Sequence, residues 1–256
     1  MDSIIHLFST FLVELYKLTG DLGLALIVFT ILIKSILVPL TIPSLKAQKQ
    51  LKELQPELKK LKAKHGSDKQ ALQLAQLELY KKYNVNPLGG CLPQLLQIAV
   101  LLILYRALMR FLHQADVNGV TIDPTFLWMN LSQPDPRFVI PVLAAVTQFI
   151  LSLMILPATE TPDIVPNKTL PKEIKEANKK EEDMAEMAQT MQQQMVFLMP
   201  ITIGISALSF PSGLGLYWVV STVFSIVQQY VLSGPGGLTL YAQRALNVLD
   251  GKTTRN

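Results

Sequence analysis

Apolar residues fall along the chain in five stretches, 22–43, 87–112, 137–157, 196–210 and 213–232, separated by polar connections. About 20 apolar residues cross the roughly 30 Å of bilayer hydrocarbon as a helix. The pattern therefore predicts five transmembrane helices, the fourth reaching full length only with its amphipathic approach. Phe210, Pro211, Ser212 and Gly213 separate the last two spans and predict a tight reversal. Residues 1–21 carry SIIHLFSTFLVELYKL, apolar but short and interrupted by Glu14 and Lys17, which predicts a helix lying in the outer interface and broken by Gly20.

The polar connections have periodicities of their own. Over 44–86, Leu51, Leu54, Leu58 and Leu61 recur at helical spacing with lysines on the other face, and Gly66 follows as a stop signal. Ser67 with Gln70 forms a capping box for a second helix whose Leu72, Ala75, Leu79 and Tyr83 meet the first, predicting a helical hairpin. The stretch 158–195 begins as proline-punctuated coil and becomes a charged helix with Met184, Met187, Met191 and Met195 along one stripe. That stripe reads as core packing or as an adaptable surface for varied apolar segments. Residues 113–136 form a loop and 233–256 a tail.

Composition agrees with this division, since half the 256 residues are hydrophobic and only 16% are charged. Ten of the 23 Lys and Arg residues lie in 45–86 and five in 158–195. Short loops rich in Lys and Arg stay cytoplasmic. The expected topology is a multi-pass membrane protein with its N-terminus outside and the hairpin, second basic loop and C-terminus inside. Neither a basic n-region nor a small-residue cleavage site precedes the first apolar stretch, so no secretory signal is expected. Cys91 is the single cysteine, which excludes an intrachain disulfide.

One residue departs from the apolar pattern. Lys34 sits mid-way along the first stretch, where a charge costs about 2.5–3.5 kcal/mol even on a lenient insertion scale. No Asp or Glu occupies the core of any of the five stretches. The ammonium must therefore be hydrated or meet polar side chains. Each apolar stretch supplies some: Thr30 and Thr41 with Lys34 on the first, Gln94 and Gln97 on the second, Gln148 and Ser152 on the third. Thr202, Ser206 and Ser209 lie on the fourth, and Trp218, Ser221, Ser225 and Gln228 on the fifth. Such residues also act as helix–helix glue, but their presence on all five predicts a shared water-containing groove. The residues selected for it are Lys34, Thr30, Gln97, Gln148, Ser206, Trp218, Ser221 and Gln228.

The three histidines are scattered, neither HExxH nor GxSxG occurs, and Lys34 and Ser35 diverge as adjacent helical residues. No catalytic, metal or cofactor site is expected. A wet cavity with one positive charge suits a transient anionic guest, which leaves a small anion transporter and a membrane protein folding chaperone as alternatives.

Several ordered segments are similar to a known family: GLALIVFTILIKSILVPLTIP, LQPELKKLKAKHG, YNVNPLGGCLPQLLQ, FLWMNLSQPDP and FPSGLGLYWVVSTVFSIVQQY. The chain resembles the YidC-type membrane protein insertases of the Oxa/Alb superfamily over nearly its whole length, in a short form without a large periplasmic domain. The resemblance implies an all-α membrane protein with five transmembrane helices around a hydrophilic groove, a cytoplasmic helical hairpin and an N-terminal interfacial helix. It implies a non-enzymatic insertase and chaperone that receives hydrophobic nascent chains and releases them laterally into the lipid bilayer. Nascent membrane proteins and the bilayer are the implied partners, with the ribosome, the signal recognition machinery and the Sec translocon as further candidates. The groove charge of the family is usually arginine; the matching position here is Lys34. Gln97, Gln148 and Trp218 fall at positions resembling groove-lining or groove-capping residues.

Overall fold

The computed structural model describes residues 2–65, 69–85, 92–113, 116–117, 120–155 and 198–249. Helix α1 (Asp2–Thr19) ends at Gly20, whose φ of +71° suits a residue without a Cβ. Asp21 then caps α2 (Leu22–Glu53) by accepting from Leu24 N at 2.9 Å. Pro39 and Pro43 lie inside α2, which nonetheless stays helical to Glu53, well past the apolar stretch. The Thr41 hydroxyl donates to the Val38 carbonyl at 3.0 Å, an adjustment of the kind by which membrane helices tolerate proline.

A turn at Leu54 leads into α3 (Gln55–His65), followed by α4 (Lys69–Lys82). Leu54, Leu58, Leu72 and Leu79 are buried, and the Tyr83 hydroxyl beyond the end of α4 donates to Glu57 near the start of α3 at 2.7 Å. That contact makes the pair antiparallel. From the end of α2, Lys52 Nζ reaches the Met154 carbonyl at 2.6 Å.

Helix α5 (Leu92–His113) precedes β1 (Asp116–Val117), β2 (Val120–Thr121), β3 (Thr125–Phe126) and β4 (Met129–Asn130). These strands form two antiparallel pairs, β1 with β2 and β3 with β4, in a loop for which the sequence pattern predicts no strand. Then come α6 (Val139–Ile155), α7 (Leu198–Ala207), α8 (Ser212–Ser233) and α9 (Leu238–Leu249). Helix α9 lies in the expected tail, where the sequence reading placed no element. By length and composition α2 and α8 are apolar enough to cross a membrane, and the apolar helices of α5, α6 and α7 are shorter. The methionine stripe of 184–195 lies outside the described residues, as does Cys91.

Helix α8 packs along both α2 and α6, and α1 lies against α2 and α5. The main core joins Leu12 and Val13 of α1, Leu26 and Phe29 of α2, Leu104 and Leu108 of α5, and Leu216 and Tyr217 of α8. The β3–β4 turn inserts Phe126 and Met129 into the same cluster, and Leu131 follows. Phe126 lies so close over Gly23 that a Cβ there would clash with the ring carbon Cγ.

The backbone N–H groups opening α8, unsatisfied in any helix, are met by this loop. Ser212 N donates to Gln133 O at 2.7 Å and Gly213 N to Leu131 O at 3.0 Å, while Ser212 Oγ donates to Asn130 O at 2.8 Å. Asp135 performs the same service for α6, accepting from Ile140 N at 2.8 Å, and it also accepts from Arg137 N, ahead of the helix, and from Trp128 Nε1, each at 3.0 Å. The Arg137 guanidinium stands 5.9 Å from the Trp128 ring. Burial raises the Asp135 pKa, but the N–H groups of Ile140 and Arg137 and the Trp128 indole outweigh it and hold the carboxyl below its ordinary value of 3.8.

Gly23→Ala should lower the midpoint of thermal unfolding in detergent, at a cost of about 1–3 kcal/mol typical of overpacking, and Gly23→Ala with Phe126→Leu should recover part of the loss. Equal midpoints for Gly23→Ala and the native chain would refute the tight contact. For Asp135→Asn the loss should depend on pH. A carboxyl with a depressed native pKa stabilises the fold above its unfolded pKa, and that stability fades as pH falls through the native value. The gap between the native chain and Asp135→Asn should thus be widest at neutral pH and shrink as pH drops below about 4, measured by denaturation on both sides of that value.

Candidate functional site

Lys34 is twelve residues into α2, which at 1.5 Å per residue puts its Cα about 18 Å from the helix start. Its half-buried ammonium donates to Ser225 Oγ of α8 at 3.2 Å. Among the described residues no carboxylate pairs with it, and the only ion pair described joins Lys17 to Glu14 on α1. The lysine is held between two apolar helices by one hydroxyl, and Ser225 in turn donates to the Ser221 carbonyl one turn earlier at 3.0 Å.

Polar contacts continue along α8 from that point. Ser221 Oγ donates to Gln97 Oε1 of α5 at 3.0 Å, and Gln97 Nε2 donates to the Tyr217 hydroxyl at 3.2 Å. One turn beyond Lys34's partner, Gln228 Nε2 donates to Thr41 Oγ1 of α2 at 2.7 Å. Tyr217, Ser221, Ser225 and Gln228 repeat at steps of four, four and three, so one face of α8 presents them all. The result is a polar seam joining α2, α5 and α8 within otherwise apolar helices.

Of the residues selected from sequence, Lys34, Gln97, Ser221 and Gln228 belong to this seam. Thr30 is fully buried, with its hydroxyl donated to the Leu26 carbonyl at 2.6 Å. Gln148 is buried on α6 and has no described bond to the seam. Ser206 and Trp218 line a separate crevice between α7 and α8, together with Phe210 and Gly215. Tyr217 is the member the sequence reading omitted. Its signal was present, because it extends the stripe of Ser221, Ser225 and Gln228 by one turn, but a tyrosine beside Trp218 reads as an interfacial aromatic.

Toward the start of α2 the seam runs into the apolar core. Tyr217 is almost fully buried and stands beside Leu104, Leu108 and Phe29, with Phe126 and Met129 of the β3–β4 turn in the same cluster. Toward the other end, polar burial persists: Ser44 on α2, Ser152 on α6 and Gln229 on α8 are all buried. Among the described residues no group of three or more His, Cys, Asp or Glu is placed to hold a metal. The arrangement offers a single cation and several amide and hydroxyl dipoles, a set suited to binding and hydration.

Comparison with known proteins identifies the family of the chain. The profile of the family described as 60Kd inner membrane protein matches residues 14–235. Membrane protein insertase YidC of Fusobacterium nucleatum subsp. nucleatum is 35% identical over 240 residues, covering 92% of this chain and 100% of that protein. Membrane protein insertase YidC 2 of Bacillus anthracis is 38% identical over 220 residues, covering 84% of this chain and 73% of its own length. Against longer relatives, such as the YidC of Citrifermentans bemidjiense, the chain spans 34% of the partner's length. A crystal structure of an active YidC insertase with its first transmembrane domain resolved superposes with a TM-score of 0.63 at 23% identity, over 90% of this chain and 46% of that one, and supports the fold. With its profile match over most of the sequence and a relative matched end to end, the chain belongs to the 60Kd inner membrane protein family, the YidC-type membrane protein insertases.

Proposed function

We propose that this protein inserts other membrane proteins into the bilayer of a bacterial cell, receiving a nascent chain at the Lys34 seam and releasing its apolar segment sideways into lipid. The observation that carries the proposal is the lysine itself, set at mid-depth, bonded to a hydroxyl and without a described carboxylate partner. A buried charge neutralised by a resident acid would be a closed structural element. One held by a serine remains available to a guest.

The physical task is to lower a desolvation barrier. A polar or acidic terminal segment crossing hydrocarbon must shed water, which costs several kcal/mol for each uncompensated group. A seam of hydroxyls, amides and one ammonium replaces part of that water along roughly half the crossing. The hydrophobic segment that follows gains about 25 cal/mol per Å² of apolar area removed from water, so release into lipid is downhill. Insertion of this kind makes and breaks no covalent bond, and the membrane potential adds about 2.3 kcal/mol per charge per 100 mV.

In this arrangement five helices span the membrane, the N-terminus and the β3–β4 turn lie outside, and the α3–α4 hairpin and the C-terminus lie inside. The distribution of Lys and Arg supports that orientation. The basic hairpin is then the first element an arriving chain meets. Nascent membrane proteins are the substrates, and the ribosome, the signal recognition machinery and the Sec translocon are the partners such a hairpin is suited to engage.

Reconstituted insertion of a single-span substrate tests the role of the charge. With an acidic translocated tail, Lys34→Arg should keep activity and Lys34→Glu should lose on the order of tenfold or more, each decade corresponding to about 1.4 kcal/mol. Lys34→Ala should be milder on a substrate with an uncharged tail, because Gln97, Ser221 and Ser225 still hold water. Native insertion of the acidic-tailed substrate by Lys34→Glu would show that the ammonium is only tolerated.

A further inference from the structure

Helix α8 runs from Ser212 to Ser233, 22 residues or about 33 Å, close to the roughly 30 Å of hydrocarbon. Ser233 therefore marks one membrane interface. The chain reverses immediately: Gly234 and Gly236 have φ of +73° and +55°, and α9 starts at Leu238. At its first turn Leu238 and Tyr241 pack on Leu153, two residues before the end of α6. Two apolar helices thus end at the level where α9 begins.

The pattern of α9 is that of a helix with two unlike sides. At 100° per residue, Leu238, Tyr241, Ala242 and Leu246 fall within one arc, with Thr239, Gln243, Arg244 and Asn247 outside it and Leu240 the one leucine among them. Leu153 covers only the Leu238 and Tyr241 edge. Ala242 is exposed and Leu246 keeps 60% of its surface open. The neighbouring surface of α8 is also apolar and open, at Val227, Tyr230 and Val231. The uncovered edge of α9 and this open surface of α8 lie on either side of the turn at Gly234 and Gly236. In sequence α9 carries Arg244 and no acidic residue, and Asp250, Lys252 and Arg255 follow it, a net positive charge.

We infer that α9 lies in the plane of the membrane interface, its Ala242 and Leu246 edge sunk among acyl chains and its polar side toward water, and that it attracts anionic phospholipid headgroups. Its position anchors the end of α8, the helix that carries the seam. The inference depends on the membrane location of the chain and stands whether or not the seam handles nascent chains. A tail that instead reached into the cytosol toward nucleic acid or protein would leave Leu246 in water.

The test uses the full chain with Cys91→Ala, a single cysteine introduced by Leu246→Cys, Ala242→Cys or Gln243→Cys, and an environment-sensitive fluorophore on it. The protein is reconstituted in vesicles of phosphatidylcholine and phosphatidylglycerol. Labels at 246 and 242 should emit blue-shifted light, be quenched by brominated acyl chains and be several-fold less accessible to iodide than the label at 243. The two apolar-edge positions provide separate readings should one variant fold poorly. Equal iodide access at all three positions would overturn the proposal. Shielding of 246 that arises only when ribosomes are added would overturn it as well, and would assign the edge to a ribosomal partner.

Discussion

An ammonium group in the middle of a hydrophobic helix sets the terms for everything around it. Lys34 requires a polar partner at its own depth, and α8 provides one because Ser225 sits thirteen residues from that helix's start, at nearly the depth of Lys34. Matching depths require α2 and α8 to run side by side, which the Gln228–Thr41 bond one turn further along reinforces. Ser221 and Tyr217 extend the same face to Gln97 and draw α5 in. The lysine thus connects a residue pattern on one helix to the packing of three.

That packing is finished differently at its two ends. Near the start of α2 and α8, the loop between α5 and α6 fills the space with Phe126, Met129 and Leu131, and its carbonyls and Asp135 satisfy the opening N–H groups of α8 and α6. Gly23 and Gly213 lie under that loop because a side chain would collide with Phe126 in one case and crowd the Leu131 carbonyl and Leu108 in the other. Apolar burial and hydrogen bonding both hold this end shut.

Much of this was legible in the chain, and the failures have physical causes. The apolar stretches and the odd lysine stand out because hydrocarbon tolerates so few polar residues, and the leucine period of 51–61 identifies a helix without help from packing. What periodicity cannot reveal is which way a polar side chain turns. Thr30 shares a face with Lys34 on paper, yet its hydroxyl satisfies its own helix, a local bond always open to threonine. Ser206 and Trp218 are on helices of the right kind but meet in another crevice. The β3–β4 turn escaped notice because two-residue strands have no period, and α9 because a short helix beside long apolar spans is easily taken for a tail.

The end of the bundle beside the hairpin is held by other contacts. Lys52 on the Met154 carbonyl is one link there, and Leu238 and Tyr241 of α9 on Leu153 are another. Within this end the amide of Gln229 and the hydroxyl of Ser233, one turn apart on α8, are buried without a hydrogen-bond partner among the described residues. Each such group costs about 1–3 kcal/mol relative to a paired one. Pairing with water or with another polar group recovers that cost. The opposite end has its helix-opening N–H groups satisfied and would lose those bonds on opening. Among the described residues the bundle thus has its helix-opening N–H groups paired at one end and buried amide and hydroxyl groups left over at the other, and Lys34 lies between the two.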